Sequence, residues 1–200
     1  SKLEPPWDPY GSDALTIETN PTAPHSPSNV IRATYPAGFP AGQAPGHTGI
    51  PHTAFSDMYI SFAAKLSSNW VGNGSGVNKY VYEWTTVPHP SFFFAAYGSG
   101  SGPLQPRAMF QNMVVDPAGG GFVAPNLVPS AEIIRGQWHV IEIFIHGNSA
   151  GTVDGYVDWW VDGVHVGHPN PVHGCSGATQ AQHSEPSPTR GRGSHAPSEP

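Results

Sequence analysis

The chain has 200 residues and a formal net charge of -6, with only 8 Lys and Arg. This length suits one domain with a flexible extension, and the shortage of basic residues excludes a nucleic-acid partner, which requires a positive surface to displace counterions. Charged residues make up 11% while Gly numbers 24 and Pro 23, a composition typical of short strands and many turns rather than amphipathic helices.

Three features that the sequence lacks limit the class of protein further. No run approaches the roughly 18 apolar residues needed to cross a bilayer, so we expect no membrane partner. Cys175 is the single cysteine and excludes an intramolecular disulfide framework. The start at Ser1 carries no signal-peptide core, although a start without Met is compatible with an export signal removed from a longer precursor.

The predicted elements in chain order begin with an extended N-terminal arm over residues 1–28, rich in Pro, Ser, Thr and Asp. About eight strands follow within a domain spanning residues 29–167. They cover Val30–Tyr35, Met58–Leu66, Asn78–Thr85, Phe92–Tyr97, Ala108–Val115, Trp138–His146, Tyr156–Val161 and Val164–Val166. Many short antiparallel strands joined by Gly/Pro loops predict an all-β fold, a two-sheet sandwich or jelly roll.

The last segment, residues 168–200, has almost no side chain that could be buried. A composition of this kind cannot offset the entropy lost on ordering. We therefore expect a disordered low-complexity tail.

The most informative stretch contains the last three strands. Successive strand residues point to opposite faces, so Ile141, Ile143 and Ile145 mark the buried side together with His139. In the next strand the buried residues are Val157, Trp159 and Val161. Asp162-Gly163 is a two-residue hairpin signal that returns the chain into the last strand.

The opposite side of these strands carries aromatic rings alternating with carboxylates. Aromatic rings stack on sugar rings while carboxylates accept hydrogen bonds from hydroxyls. The predicted sugar-contacting residues are Trp138, Glu142, Tyr156, Asp158 and Trp160. The alternative is that this face packs under a loop or the N-terminal arm, with the two acids paired to Arg or Lys.

Several motifs resemble one known superfamily: Leu66-Ser-Ser-Asn-Trp70, Arg135-Gly-Gln-Trp-His-Val-Ile-Glu142 and Asp154-Gly-Tyr-Val-Asp-Trp-Trp-Val-Asp-Gly163. They are similar to the concanavalin A-like lectin/glucanase jelly roll and, within it, to secreted bacterial polysaccharide lyases of the alginate and glucuronan type. The resemblance spans Asn29 to Val166. It implies a two-sheet antiparallel jelly-roll sandwich, an extracellular monomer, and a polysaccharide as partner on the concave sheet.

The resemblance also implies one or two closing strands after the last hairpin, where this sequence has its low-complexity tail. A strand with about three inward side chains contributes on the order of 5 to 9 kcal/mol, comparable to the stability of a whole domain. We therefore expect a sandwich lacking its closing C-terminal strand, with a frame truncated or shifted near Gly167 and an isolated chain of low stability.

A lyase removes the proton next to a uronate carboxylate, which requires a base near the proton and a group that neutralises the carboxylate. By resemblance, Lys79 stands where such lyases carry a basic residue facing the cleft. Further catalytic candidates are Tyr59, His146 and Arg107.

Alternation along Asn78–Thr85 predicts that Lys79 and Glu83 share the outward face with Tyr59, and it makes Glu83 a further substrate-contacting candidate. The even-numbered residues Tyr80 and Tyr82 then point to the opposite side, into the core, where packing is favoured over catalysis.

Other activities receive less support from the residues. A hydrolase needs two carboxylates about 5 to 10 Å apart, and Glu142 and Asp158 could meet, but the Glu-x-Asp-x-x-Glu strand of related glucanases is absent. The spacing of His165, His168 and His173 fits no strand or helix chelate, so the sequence predicts no metal and no cofactor. A non-catalytic lectin-like or adhesion module remains the alternative to an enzyme.

Overall fold

The computed structural model describes residues 8–10, 14–24, 29–36, 38–39, 44–50, 52, 55–84, 91–111, 122–149, 152 and 154–168. Within these ranges it contains twelve β-strands and no α-helix. They are β1 (Asp8–Tyr10), β2 (Leu15–Glu18), β3 (Val30–Ala33), β4 (His47–Gly49), β5 (Asp57–Ala64), β6 (Val77–Trp84), β7 (Ser91–Tyr97), β8 (Gln105–Gln111), β9 (Phe122–Val123), β10 (His139–His146), β11 (Tyr156–Val161) and β12 (Val164–Gly167). All eight predicted strands are present, and the four additional ones have two to four residues each.

The strands form two four-stranded antiparallel sheets. The first sheet has the order β12-β11-β10-β5, and the second has the order β6-β7-β8-β9. Two further pairs, β1 with β4 and β2 with β3, form small two-stranded sheets.

One large hydrophobic core joins the two large sheets, and a second, smaller cluster among the described residues lies on the other side of the second sheet. The first sheet contributes Ile141, Ile143, Val157, Trp159 and Val166, and the second contributes Phe92, Phe94, Ala96, Ala108 and Phe110. Because each sheet buries one face against the other, the molecule is an all-β sandwich. This confirms the predicted fold class.

The hairpin of the first sheet follows the sequence closely. The burial patterns of β10 and β11 alternate as predicted, with Ile141, Ile143 and Trp159 fully buried. Asp162 and Gly163 have φ angles of 52° and 76°. Two consecutive left-handed residues are the requirement of a type I′ turn, which explains why Asp-Gly is found there.

Two irregularities in the sheets break simple alternation. In β6 the register against β7 shifts between Lys79 and Val81, and the pairing of β11 with β12 shifts between Trp159 and Trp160. Each extra residue in a β-bulge reverses the facing of every side chain beyond it. Both bulges lie beside residues of functional interest.

The boundaries predicted for the arm and the tail remain predictions. Within the predicted arm, Leu15–Glu18 pairs with Val30–Ala33. Residues 169–200 lie outside the described residues, so neither their predicted disorder nor the expected lack of a closing strand is tested. In the described part of the chain, no helix has the length and apolar character required to cross a membrane.

Candidate functional site

The outer face of the first sheet carries the predicted mixture of rings and acids. We call it the acidic–aromatic face and define it by Asp57, Tyr59, Glu142, Phe144, His146, Tyr156, Asp158 and Trp160, which are all exposed or partly exposed. The core residues of β10 and β11 point the other way. The predicted residues therefore emerge together on one surface and are not buried between the sheets.

Register across three strands places the acids among the rings. Glu142 lies opposite Trp160 on β11 and opposite Ser61 on β5, and Asp158 lies opposite Phe144. Tyr156 contacts the His146 ring at a centroid distance of 5.1 Å. Neighbouring strands are about 4.8 Å apart, so rings and carboxylates alternate at roughly the width of a sugar ring.

Each carboxylate of this face has a partner already, and the partners are tyrosine and histidine. Tyr59 donates a short hydrogen bond from its hydroxyl to Glu142, and Asp57 Oδ1 lies 2.6 Å from His146 Nδ1. Asp158 Oδ1 lies 2.7 Å from one nitrogen of each of two histidines, His165 and His168. Among the residues that the structure describes, neither Glu142 nor Asp158 has the pairing to Arg or Lys considered in the sequence.

These pairs set the proton affinities of the face. The hydrogen bond to Glu142 raises the pKa of the Tyr59 phenol, since ionised tyrosine would be repelled by the carboxylate. Hydrogen bonds from His146 and Ser56 lower the pKa of Asp57. Tyr59 is therefore a hydrogen-bond donor at neutral pH and is poorly suited to act as a base.

Trp138 lies just before β10, at the edge of this face. Its indole N–H donates a hydrogen bond to Thr22 Oγ1 at 3.2 Å, and Lys65 Nζ lies 5.6 Å from its ring centroid. Trp138 therefore packs against the predicted N-terminal arm, which was the alternative to sugar contact, because Thr22 belongs to that arm.

The outer face of the second sheet is a different surface, which we call the lysine face. Its central residues are Lys79, Tyr82, Phe93, Ala95, Arg107 and Met109. Phe93, Ala95 and Met109 are buried in a second hydrophobic cluster, so the accessible groups of this face are Lys79, Tyr82 and Arg107. Lys79 Nζ lies 4.6 Å from the ring centroids of both Tyr82 and Phe93. Burial lowers the pKa of Lys79, because the partly desolvated ammonium is less stable than the neutral amine.

The predicted grouping of Lys79, Glu83 and Tyr59 on one face is wrong. Tyr59 is on the first sheet and Lys79 on the second, with the whole core between them. Glu83 lies opposite Phe92, a core residue, and its Oε2 atom is 3.1 Å from His52 Nε2. Burial raises the pKa of Glu83, so this residue is a partly buried acid and not part of either outer face.

The bulge in β6 is the physical reason for these differences. Tyr80 and Val81 both pack against the main core, so the parity changes between Lys79 and Tyr82. The predicted packing is confirmed for both tyrosines, but the predicted facing of Tyr82 is wrong, because Tyr82 packs against the smaller cluster on the other side of the sheet. Tyr82 instead stacks on Phe93 at 5.8 Å and donates a hydrogen bond to Ser91 Oγ at 3.0 Å.

Strand pairing across β6, β7 and β8 places Arg107 on the lysine face. Lys79 lies opposite Ala95, and Ala95 lies opposite Arg107. The guanidinium donates to Ala124 O at 3.1 Å and to Gln105 Oε1 at 2.6 Å. Both acceptors are uncharged, so the positive charge of Arg107 has no counter-ion among these contacts.

The four catalytic candidates are thus divided between two surfaces. Tyr59 and His146 lie on the acidic–aromatic face, and Lys79 and Arg107 lie on the lysine face. Sequence reasoning missed Asp57 and Tyr82. Asp57 shares the parity of Tyr59, which could have revealed it, whereas Tyr82 required knowledge of the bulge.

Fold and sites together define an all-β sandwich with two chemically different outer faces. No protein-family model matches the chain, and no curated protein gives a significant match. Solved structures of alginate lyase Aly36B are similar: a double mutant with an alginate trisaccharide (TM-score 0.49, 14% identity, 66% of this chain, 59% of that chain) and the enzyme itself (0.48, 10%, 83% and 65%). A second double mutant, with an alginate tetrasaccharide, has a TM-score of 0.47 and 14% identity, over 66% of this chain and 59% of that chain. The chain therefore spans about three-fifths of the length of these proteins, and the likeness concerns the fold alone.

Proposed function

We propose that the chain is an extracellular polysaccharide-binding domain that holds its ligand on the acidic–aromatic face. The observation that carries the proposal is the register that sets Glu142 directly opposite Trp160 on the exposed side of the first sheet. A sugar ring stacked on an indole presents its hydroxyls sideways, where a neighbouring carboxylate can accept their hydrogen bonds. The hydrogen bond from Tyr59 fixes the Glu142 side chain for this role.

The charge of the face indicates which class of sugar it accepts. Asp57, Glu142 and Asp158 all lie on it, and Lys65, near Trp138, is a basic side chain at its edge. A polyuronate would place its carboxylates against these acids at a cost in free energy. The face therefore favours a neutral, hydroxyl-rich polysaccharide.

Binding to a glycan array, followed by affinity electrophoresis on the best ligand, tests the proposal. Trp160→Ala and Glu142→Gln should each reduce affinity at least tenfold. Lys79→Ala, on the opposite surface, is the matched control and should bind like the original chain. Failure of the original chain to bind any glycan, or equal loss with Lys79→Ala, would contradict the assignment of the face.

The second candidate function is β-elimination of a polyuronate at the lysine face. A specific observation favours it: Lys79, whose pKa is lowered by burial, stands in line with Arg107 across the second sheet. The neutral amine would take the proton next to the uronate carboxylate, the electron pair would form a C=C bond, and the neighbouring glycosidic oxygen would leave. Arg107 would neutralise the carboxylate.

The two functions are separated by a simple assay. Elimination generates unsaturated sugar ends that absorb ultraviolet light, whereas binding alone does not. Incubation with alginate and with glucuronan, monitored by absorbance, should give a signal that Lys79→Ala abolishes and Trp160→Ala leaves intact. No absorbance change with either polymer would leave a non-catalytic binding domain.

A further inference from the structure

The acidic–aromatic face contains a second constellation at its β12 edge. Asp158, His165 and His168 each direct one ligand atom to a common point, and these atoms all lie within 4.8 Å of one another. Both histidines approach the same oxygen, Asp158 Oδ1, at 2.7 Å. The Asp158 side chain is 14% exposed, and the histidines are 42% and 34% exposed.

A β-bulge creates this arrangement. Trp160 lies opposite His165, yet the next residue, Trp159, lies opposite Gly167, so one residue of β12 is extra. Val166 is buried in the core, and a Cβ on Gly167 would lie 1.8 Å from the buried Trp159 ring. Because both intervening residues face inward, His165 and His168 emerge on the same side as Asp158.

Aromatic side chains hold both imidazoles. Trp160 stacks on His165 with a centroid distance of 4.9 Å and an interplanar angle of 26°, and Tyr156 contacts His168 at 5.5 Å. Imidazole rings that are already held in place lose little conformational entropy when they bind an ion. A metal site requires ligands that are positioned in this way by their neighbours.

We propose that Asp158, His165 and His168 form a binding site for a divalent transition metal of the Zn²⁺ class. Two imidazole nitrogens and one carboxylate oxygen are the ligands that Zn²⁺ accepts, at about 2.0 to 2.2 Å, with a fourth position open to water. A tetrahedral ion at this distance separates its ligand atoms by about 3.4 Å, so binding requires each imidazole nitrogen to move away from Asp158 Oδ1 by roughly 0.7 Å. Ca²⁺ and Mg²⁺ are disfavoured, because they require mainly oxygen ligands.

The metal proposal does not rest on the proposed polysaccharide, because the ion binds protein atoms alone, although Asp158 belongs to both sites. Without an ion, the same geometry is satisfied by two imidazole N–H groups that donate to one carboxylate oxygen.

The test is titration of the full chain, with no glycan present, with Zn²⁺ by calorimetry and with Co²⁺ by visible absorption. The original chain should bind one equivalent at this site, and His165→Ala should weaken that binding by more than about 100-fold, because even the loss of a supporting group around a metal costs about 10 to 100-fold. His47→Ala, which removes an exposed histidine of β4 outside this face, is the matched control and should keep the original affinity. Circular dichroism without metal checks that each variant is folded.

His165→Gln and His168→Ala provide further variants, and both residues are at least one-third exposed. Unchanged Zn²⁺ affinity in these variants would overturn the proposal, as would an equal loss in His47→Ala or tighter binding of Ca²⁺ than of Zn²⁺. Since no sugar enters the experiment, its failure leaves the polysaccharide proposal untouched.

Discussion

The Nζ atom of Lys79 lies 4.6 Å from the ring centroid of Tyr82, although two residues three positions apart face opposite sides of a regular strand. The bulge between Lys79 and Val81 removes this conflict by placing two successive residues, Tyr80 and Val81, on the core side. Lys79 therefore rests on aromatic rings, which support the ammonium ion by cation–π attraction and remove part of its contact with water.

Activity at the lysine face is expected to depend on pH through Lys79. A base acts in its neutral form, and burial lowers the pKa of Lys79 below the ordinary 10.5. The rate of elimination should therefore rise with pH and level off below that value. Lys79→Arg keeps the charge but cannot release a proton, so turnover should fall by about 10² to 10⁴-fold. Initial rates of ultraviolet absorbance against pH measure both effects, and wild-type rates in Lys79→Arg would remove Lys79 from the mechanism.

Replacement of the partly buried acid Glu83 should stabilise the protein. Burial raises its pKa despite the opposing effect of His52, and its Oε1 atom has no hydrogen-bond partner among the described residues. Because the folded state holds this proton more tightly than the unfolded state, its contribution to stability is complete below pH 4.5 and is lost as the pH rises through the folded value. At pH 7, Glu83→Gln should raise the free energy of unfolding by on the order of 1 kcal/mol.

Urea denaturation at pH 4 and pH 7 measures this effect. The gain from Glu83→Gln should be smaller at pH 4, where the carboxyl is protonated in both states. Glu132→Gln is the matched control, since Glu132 is exposed, and its effect should stay within about 0.5 kcal/mol at both values. A loss of stability at pH 7 in Glu83→Gln would show that the carboxylate is well compensated.

Two adjacent tryptophans should separate stability from binding. Trp159 is fully buried and packs against Phe94, so Trp159→Ala should cost about 3 to 5 kcal/mol of folding free energy. Trp160 is partly exposed on the opposite side of the strand, and Trp160→Ala should cost far less while it reduces glycan affinity at least tenfold. Thermal melts and affinity electrophoresis of both variants decide the question. Equal losses of stability would show that both rings serve the core.

Gly167 should tolerate no side chain. A Cβ there would lie 1.8 Å from Cζ2 of Trp159, whose ring has no room to move because it is fully buried. Gly167→Ala should therefore cost about 1 to 3 kcal/mol or more through overpacking, and it should disturb the orientation of His168. Gly74→Ala is the matched control, because open space surrounds that position. Comparable melting temperatures for the two variants would contradict the packing of Gly167.

The pattern of apolar residues by itself determined the sandwich, because alternation with a period of two marks the buried side of each regular strand. Ile141, Ile143, Val157 and Trp159 are buried as their positions predict, and Asp162-Gly163 forms the predicted turn since few other pairs adopt two positive φ angles. The same alternation identified the shared exposure of Glu142, Asp158 and Trp160.

Only the tertiary structure decided which sheet each strand joins and where the ladders shift register. Strand pairing separated Tyr59 from Lys79, because sequence alternation distinguishes in from out but does not distinguish one outer face from the other. The two bulges decided the rest. Each adds one residue without changing the local sequence pattern, and it thereby moves Tyr82 onto the lysine face and His165 and His168 onto Asp158.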